Sequence, residues 1–367
     1  MRHALVIGGG PAGSVAALLL ARSGWGVTLV EQHRFPRDKV CGECLSALGA
    51  EVLARLGLFD QLLARRPVRL ARTALHAPSG ASVTTRLPRP MWGVSRVVLD
   101  ELLLDAARRE GVVVRQPARA ESVEPGPRPV AGVRDLVTNV VDHVPADCVI
   151  VADGKAALLG GEGPPPPTGD LGLKAHFTGV DGPAGCIELF GTADCYGGLA
   201  PIEGGRWNAA FSVPAARVRD SRGDLDALFA QLVSENVTLA RRLAGAARAG
   251  PWLAAPLPRF AVRRAWPRNV IPVGNAAAAI EPIGGEGMGL ALRSAELAAE
   301  ALTRPGPWQV HAADRLAAHY RKLWFPRGLA CRAAAHAVSS RGRADRFMPL
   351  VRAAPAALRP FLALMGK

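Results

Sequence analysis

The sequence predicts an α/β fold: a parallel-sheet unit interleaved with a mixed β-sheet unit, followed by C-terminal helices. Three observations predict it. Residues 1–31 read as strand, glycine turn, helix, strand and a closing acid. Two later apolar strands, ending at Ala152-Asp153-Gly154 and at Val273-Gly274-Asn275, each finish on glycine beside a polar side chain. Residues 171–213 break into short strands separated by glycine turns, whereas residues 311–367 are helical, arginine-rich and broken by prolines.

Leu5, Val6 and Ile7 form the short apolar run that a strand buried on both faces needs. Gly8-Gly9-Gly10-Pro11-Ala12-Gly13 then fits G-x-G-x-x-G. Gly8 permits the tight turn, Gly10 lets the backbone approach a pyrophosphate, and Gly13 lets helix and strand pack closely. Pro11 and Ala12 complete the turn. The Ala- and Leu-rich residues 14–23 form the helix, whose N-terminus aims unpaired N–H groups at phosphate charge. Residues 27–30 give the second strand. Glu31 closes it about twenty residues beyond the glycines, where an acid accepts hydrogen bonds from a ribose diol; Gln32 follows at the same end. A lone glycine motif is weak evidence. Here strand, helix, second strand and acid are in register, so the stretch reads as a dinucleotide site rather than a plain turn.

Residues 32–43 are polar and irregular, and residues 45–63 are helical with a break near Gly57. Residues 68–76 and 82–87 read as strands of a second layer. Arg96 opens a helix whose apolar face is Val97, Leu99, Leu102, Leu103 and Ala106, and Gly111 ends it. Residues 112–114 form a strand; residues 118–123 and 135–141 form a hairpin about a Pro/Gly-rich turn, with Ala120 on its first arm. Residues 160–168, with four consecutive prolines, read as a linker or crossover. Residues 225–243 are one helix, 281–289 a glycine-rich loop and 290–302 an amphipathic helix. The chain has no internal repeat.

With 367 residues, 49% of them hydrophobic, the chain can bury a large core or two interleaved ones. The first strand starts within a few residues of Met1, and no apolar run reaches spanning length, so no signal peptide, no integral membrane segment and a cytoplasmic location are expected. The net charge of +14 is spread as single and paired arginines. Nothing resembles a recognition helix or an aromatic-and-basic strand, so no nucleic-acid partner is expected; compositional bias is the favoured reading, ahead of a basic funnel for anionic cofactors. Among six cysteines only Cys41 and Cys44 are close, and zinc would need a second pair, so no metal is expected. Residues 361–365, after an Arg-rich helix, read as a helix docked on the body ahead of a segment touching a membrane. The oligomeric state is not legible.

A simple nicotinamide dehydrogenase needs only the first strand end. Three such ends suggest a longer, two-part cofactor, because open α/β sheets bind ligands at the carboxyl ends of their strands. At these residues the sequence resembles the FAD-dependent oxidoreductases of the para-hydroxybenzoate-hydroxylase-like superfamily, in the branch of geranylgeranyl reductases, flavin halogenases and related dehydrogenases. Gly8, Gly10, Gly13 and Glu31 match the ADP-binding fingerprint. Residues 36–43, P-R-D-K-V-C-G-E, resemble the reductases' P-R-x-K-x-C-G-G. Arg96 with Asp100 matches the arginine near the cofactor phosphates, and Asp153 and Gly154 lie in an A-D-G motif. Gly274, Asn275, Pro282, Gly285, Gly287 and Met288 fall in the stretch resembling G-D-A-A-G…P-x-x-G-E-G-I. The resemblance implies a Rossmann-type FAD-binding domain in pieces (1–76, 93–160, 260–310), a mixed β-sheet substrate domain (77–92, 161–259) and a C-terminal helical segment (311–367).

Several positions depart from that pattern. Asn275 replaces an acid, Glu43 replaces a glycine, and residues 196–201 lack the reductases' tryptophan. The halogenase signature W-x-W-x-I-P is absent, which argues against halogenation. Cys41, Glu43 and Tyr196 are the candidate catalytic residues. Cys41 reads as a flavin-pocket wall and Cys44 as a small buried hydrophobe, ahead of a redox disulfide. Glu43 reads as a surface or salt-bridged acid ahead of a proton donor, and Tyr196 as packing ahead of a catalytic phenol. His176 and Glu188 read as structural side chains. Arg37 is expected at the pyrophosphate, and Lys39 as solvated charge. The glycine loop 282–289 brings a helix N-terminus to the flavin.

The expected function is an FAD-dependent oxidoreductase acting on a small hydrophobic substrate. Hydroxylation of an aromatic or polyketide-like molecule ranks ahead of reduction, or dehydrogenation, of C=C bonds in a prenyl or lipid-like one, by analogy with the superfamily's biosynthetic members. A non-catalytic dinucleotide-binding protein is a minor alternative. With a single dinucleotide motif, electrons come from transient NAD(P)H or an external reductant.

Overall fold

The computed structural model describes residues 1–154, 157–159, 169–304, 312–354 and 358–366; the proline-rich stretch 160–168 and the start of the helical tail at 311 lie outside them. A five-stranded parallel sheet runs in the order Val270–Pro272, Cys148–Val151, His3–Ile7, Gly26–Val30, Val113–Arg115. Its strands are short apolar runs because both faces are covered, by helices Pro11–Arg22, Arg96–Arg109 and Gly287–Thr303 on one side and by a small sheet on the other. The strand ends singled out in the sequence, Ile7, Val151 and Pro272, lie on three adjacent strands, and Glu31 closes the fourth. Their carboxyl ends therefore form one continuous edge.

A nine-stranded mixed sheet lies beside it. It orders Ala247–Arg248, Asp170–Thr178, Trp207–Pro214, Tyr196–Pro201, Cys186–Gly191, Val68–His76, Ser82–Gly93 and Cys44–Leu45, with Leu253–Pro256 also paired to Asp170–Thr178. Val68–His76 thus belongs to this sheet, although a boundary at 76 groups it with the cofactor unit. The alternation of side chains across strands separates two faces. Leu173, Ala175, Phe177, Leu199, Ala209 and Phe211 face helices Leu225–Ser234 and Val237–Leu243. The other face carries Lys174, His176, Tyr196, Gly198, Asn208, Ala210 and Ser212, aligned by the register of three neighbouring strands.

Four elements differ from the sequence reading. The hairpin is a three-stranded sheet, Ala118–Glu124, Val130–Asp135 and Val141–Pro145. Residues 135–141 are mostly its second turn, because the Asp135 carboxylate accepts from the N–H groups of Val137 and Thr138. Residues 225–243 split in two at Asn236, whose side chain caps the second helix through Thr238 and Leu239. The helix expected from 290 begins at Gly287. In the tail, helices Ala312–Val338, Arg341–Ala353 and Leu358–Leu364 carry Pro326 and Pro349 inside two of them.

At Gly197 a Cβ atom would fall 2.0 Å from the Phe211 ring, which fills the hollow the glycine leaves. Gly197→Val is expected to cost about 1–3 kcal/mol by overpacking, read as a lower urea midpoint at unchanged m-value. An unchanged midpoint would mean that the ring has room to move aside.

Candidate FAD site and the sheet face beside it

The glycine turn is fixed by backbone contact. Gly8 has φ of 105°, and a Cβ there would lie 2.5 Å from the Ala152 carbonyl oxygen. At Gly13 it would lie 1.8 Å from the Gly8 oxygen. Gly10 caps helix Pro11–Arg22 with no side-chain hydrogen bond, so the helix N–H groups stay available to an anion. Glu31 is buried and oriented: Oε2 accepts from the Gly9 N–H at 2.7 Å and Oε1 from the His33 N–H at 2.8 Å. Gln32 is exposed at the same end. The Ala118 N–H donates to the Glu31 carbonyl, and Ala120, two residues on, is buried with Val30 and Ala276.

Cations face Gly10. A Cβ on that glycine would stand 3.7 Å from Arg37 Nη2 and 3.8 Å from Arg96 Nη2. Arg96 holds Asp100 through two hydrogen bonds of 2.7 and 2.6 Å. Burial opposes its charge, but Asp100 and the Cys41 thiol keep it firmly protonated. Arg37 meets Asp100 at 3.3 Å and Glu31 only at 3.9 Å, and its Nε and Nη1 are buried without a hydrogen-bond partner. Burial, partly offset by Asp100, lowers its pKa. Lys39 is exposed, as expected of a solvated charge, and its Nζ lies near Gly154. Partial desolvation first, then Arg96 and Arg37, lower its pKa to about 8. Three cations against two acids, with orphaned guanidinium N–H groups, fit a doubly charged pyrophosphate.

The remaining strand ends complete the edge. Gly154 has φ of 74° and Gly274 φ of 60°. The Gly274 N–H donates to Ser294 Oγ at 2.7 Å, Asp153 is half-buried and Asn275 is exposed. Pro282 is exposed, Gly285 is left-handed with φ of 68°, Gly287 is open, and Met288 is buried. A Cβ on Gly285 would meet Cys44 at 3.4 Å, so the glycine loop and the cysteine loop are neighbours.

The cysteine loop turns on Glu43, a non-glycine residue at φ of 54°. Its carboxylate is fully buried. Oε1 accepts from Lys174 Nζ at 2.6 Å and from the Arg96 N–H at 2.8 Å, and Oε2 lies 2.7 Å from His176 Nε2. Lys174 also donates to Asp38 at 2.5 Å. Asp38, Glu43 and His176 have the donor atoms of a metal site, but the Lys174 ammonium already supplies the cation between the two carboxylates. All six cysteines are free. Cys41 Sγ accepts from the Glu43 N–H and Cys44 Sγ donates to the Gly42 carbonyl. Gly42 itself is exposed, with no atom within 4 Å of an added Cβ.

Tyr196 lies at the other end of the inner face. Its hydroxyl donates to Glu281 Oε1 at 2.5 Å. Burial raises the pKa of both groups, and the neighbouring carboxylate raises Tyr196 further. Between the two polar clusters the face is small or apolar: Leu75, Leu189, Ile187 and Ala200, closed by Ile283, Cys331, Leu362 and Met365. Glu188 sits on the opposite face of its strand, held by His76 at 2.9 Å and by Arg242. Lys174 and Glu281 carried no signal in the sequence. A lysine in a strand that alternates correctly inward is the one hint that Lys174 has a buried acid as partner.

A family model for the FAD binding domain matches residues 1–180. The menaquinone reductase of Mycolicibacterium smegmatis is 30% identical over 332 residues, covering 82% of this chain and 76% of that protein. Digeranylgeranylglycerophospholipid reductase 2 of Methanopyrus kandleri is 27% identical over 314 residues, covering 81% and 75%. The chondrochloren halogenase CndH superposes with a TM-score of 0.81 at 22% identity, over 98% of this chain and 90% of that one. The chain belongs to the family of FAD-dependent oxidoreductases that includes this menaquinone reductase. It is an FAD-dependent enzyme.

Removing the Glu43 charge leaves Lys174 buried against Asp38 alone. Glu43→Gln and Lys174→Met are each expected to cost about 3–5 kcal/mol. The double variant Glu43→Gln/Lys174→Met is expected to lose less than their sum in denaturant melts. Strictly additive losses would show that the two residues are not coupled.

Proposed function

We propose that this enzyme reduces carbon–carbon double bonds in an apolar, isoprenoid-type substrate. The likeness to a menaquinone reductase and a prenyl-lipid reductase carries the reading, since both alignments extend well beyond the cofactor half. The apolar inner face of the second sheet, with one proton-bearing pair at its end, has the composition that suits a lipid-like chain. This reverses the order in which analogy alone ranks hydroxylation and reduction.

FAD, when bound, supplies a two-electron carrier between donor and substrate. Gly8, Gly10, Pro11, Ala12 and Gly13 with their helix N-terminus, and Arg37, Lys39 and Arg96 opposite, hold the pyrophosphate. Glu31 and Gln32 hold the adenosine ribose, and the Ala120 backbone the adenine. Asp153, Gly154, Gly274 and Asn275 hold the ribityl chain. Pro282, Gly285, Gly287, Met288 and Cys41 border the flavin. Asn275 accepts through its carbonyl oxygen where the family has a carboxylate. Glu43 is a positioning residue, because three donors already occupy its carboxylate. Tyr196, kept protonated by burial and donating to Glu281, would be the group that gives a proton to a substrate carbon placed against it. NAD(P)H bound transiently, or an external reductant, delivers the electrons.

The test is anaerobic. Reduced holoenzyme mixed with a polyprenyl lipid that carries no quinone ring is expected to reoxidise without oxygen and to yield a product two hydrogens heavier, with one double bond fewer. Reoxidation that requires oxygen and yields a hydroxylated aromatic product would overturn the reading in favour of a hydroxylase.

Lys39 gives a pH prediction. In the free protein its ammonium titrates at about 8 instead of 10.5. Its charge therefore burdens the fold below pH 8, and the burden lifts as pH rises toward the unfolded value. Bound pyrophosphate restores the ammonium, so FAD binding takes up a proton above pH 8 and affinity falls as pH rises further. Calorimetric titration in buffers of different ionisation enthalpy reads that uptake. Lys39→Met is expected to abolish it; persistence in the variant would remove Lys39 from the pyrophosphate site.

A further inference from the structure

The outer face of the C-terminal helices is built differently from the rest of the surface. Residues 312–366 contain nine arginines and one lysine against two aspartates, a surplus of eight charges in a chain whose net charge is +14. The segment 361–365 is docked on the body through Leu362 and Met365, which are buried with Cys331 and Ile283, and leaves Leu364 outward at 49% exposure. The other exposed large apolar side chains of the tail lie on its two longer helices: Phe325 at 65%, Leu329 at 53%, Phe347 at 39% and Leu350 at 69% exposure.

Their spacing places them among cations. On helix Ala312–Val338, Lys322, Phe325, Leu329, Arg332 and His336 recur at intervals of three and four, which makes one stripe. On helix Arg341–Ala353, Arg343, Arg346, Phe347 and Leu350 form a second stripe, also exposed. The inner faces of the same two helices hold Ala330, Cys331, Ala335, Val338, Ala344, Met348 and Val351 against the body. The stripes are therefore a surplus beyond what packing needs. Isolated exposed apolar residues need no explanation; large aromatic and aliphatic side chains interleaved with arginine on an amphipathic helix are the composition that lies in a lipid headgroup layer. No single described helix is long and apolar enough to cross a bilayer.

We propose that the tail docks this enzyme on an anionic phospholipid surface. Phe325, Leu329, Phe347 and Leu350 enter the headgroup boundary, while Lys322, Arg343 and Arg346 meet lipid phosphates. The proposal does not depend on which bond the flavin site reduces.

Flotation of the FAD-loaded, full-length protein with vesicles tests it. Binding is expected to vesicles containing about one-third phosphatidylglycerol and to be at least tenfold weaker to pure phosphatidylcholine, with attenuation by salt. Phe325→Ser/Leu350→Ser and, separately, Arg343→Gln/Arg346→Gln are each expected to lower partitioning at least tenfold with FAD absorbance intact. Three results would overturn the proposal. One is no binding to anionic vesicles at low salt. Another is binding indifferent to Phe325→Ser/Leu350→Ser, which would make it a general effect of net charge. The third is self-association that the same variant abolishes, which would make the face an interface between copies. Should a variant lose FAD, the wild-type comparison of the two vesicle compositions still decides.

Discussion

The buried carboxylate of Glu43 ties the two sheets of this enzyme together. Glu43 accepts from the N–H that starts the helix of Arg96 on the cofactor side and from Lys174 and His176 on the second sheet. A buried charge without partners would be expelled or neutralised, so all these donors must be in place together. That requirement fixes the loop between Pro36 and Cys44, which carries Arg37 toward Gly10 and Lys39 toward Gly154. It also accounts for an acid at a left-handed backbone conformation that favours glycine. A left-handed non-glycine residue costs about 1 kcal/mol or more, and the three hydrogen bonds to its side chain offset that strain.

The same loop sets the electrostatics. Arg37, Lys39 and Arg96 converge on a bare helix N-terminus, with too few carboxylates to neutralise them. Crowding of three cations in one place is unfavourable unless an anion shares the space, and the lowered pKa values of Arg37 and Lys39 express that frustration. The far end of the second sheet's inner face has the opposite character. There Tyr196 and Glu281 keep a proton in an apolar wall.

Much of this was legible in the chain. The three strand ends at Gly8, Gly154 and Gly274 could be read singly, because a buried parallel strand is short, apolar and followed by glycine. Their adjacency makes them a single site. Less was legible in the second sheet. Val68–His76 reads as a strand of the second layer and lies there, but a strand shows its period and not its partner, so a unit boundary drawn at 76 cuts it from its sheet. The turn at Asp135 and the cap at Asn236 were missed because a polar side chain bonding its own backbone leaves no trace in hydrophobic periodicity.

The sequence by itself determined the cofactor class, because backbone geometry at a glycine turn is local and needs specific residues at specific spacings. It also determined the order of strands and helices to within a few residues. Only the tertiary structure decided what the polar residues do. Glu43 became a buried ion partner of Lys174, more than a hundred positions away; Lys39 came to stand beside Gly154; Tyr196 acquired Glu281; and Leu362 and Met365 turned inward while Phe325 and Leu350 turned out. The physical reason is that a charge or hydroxyl takes its role from whatever surrounds it, and those surroundings are assembled from distant parts of the chain.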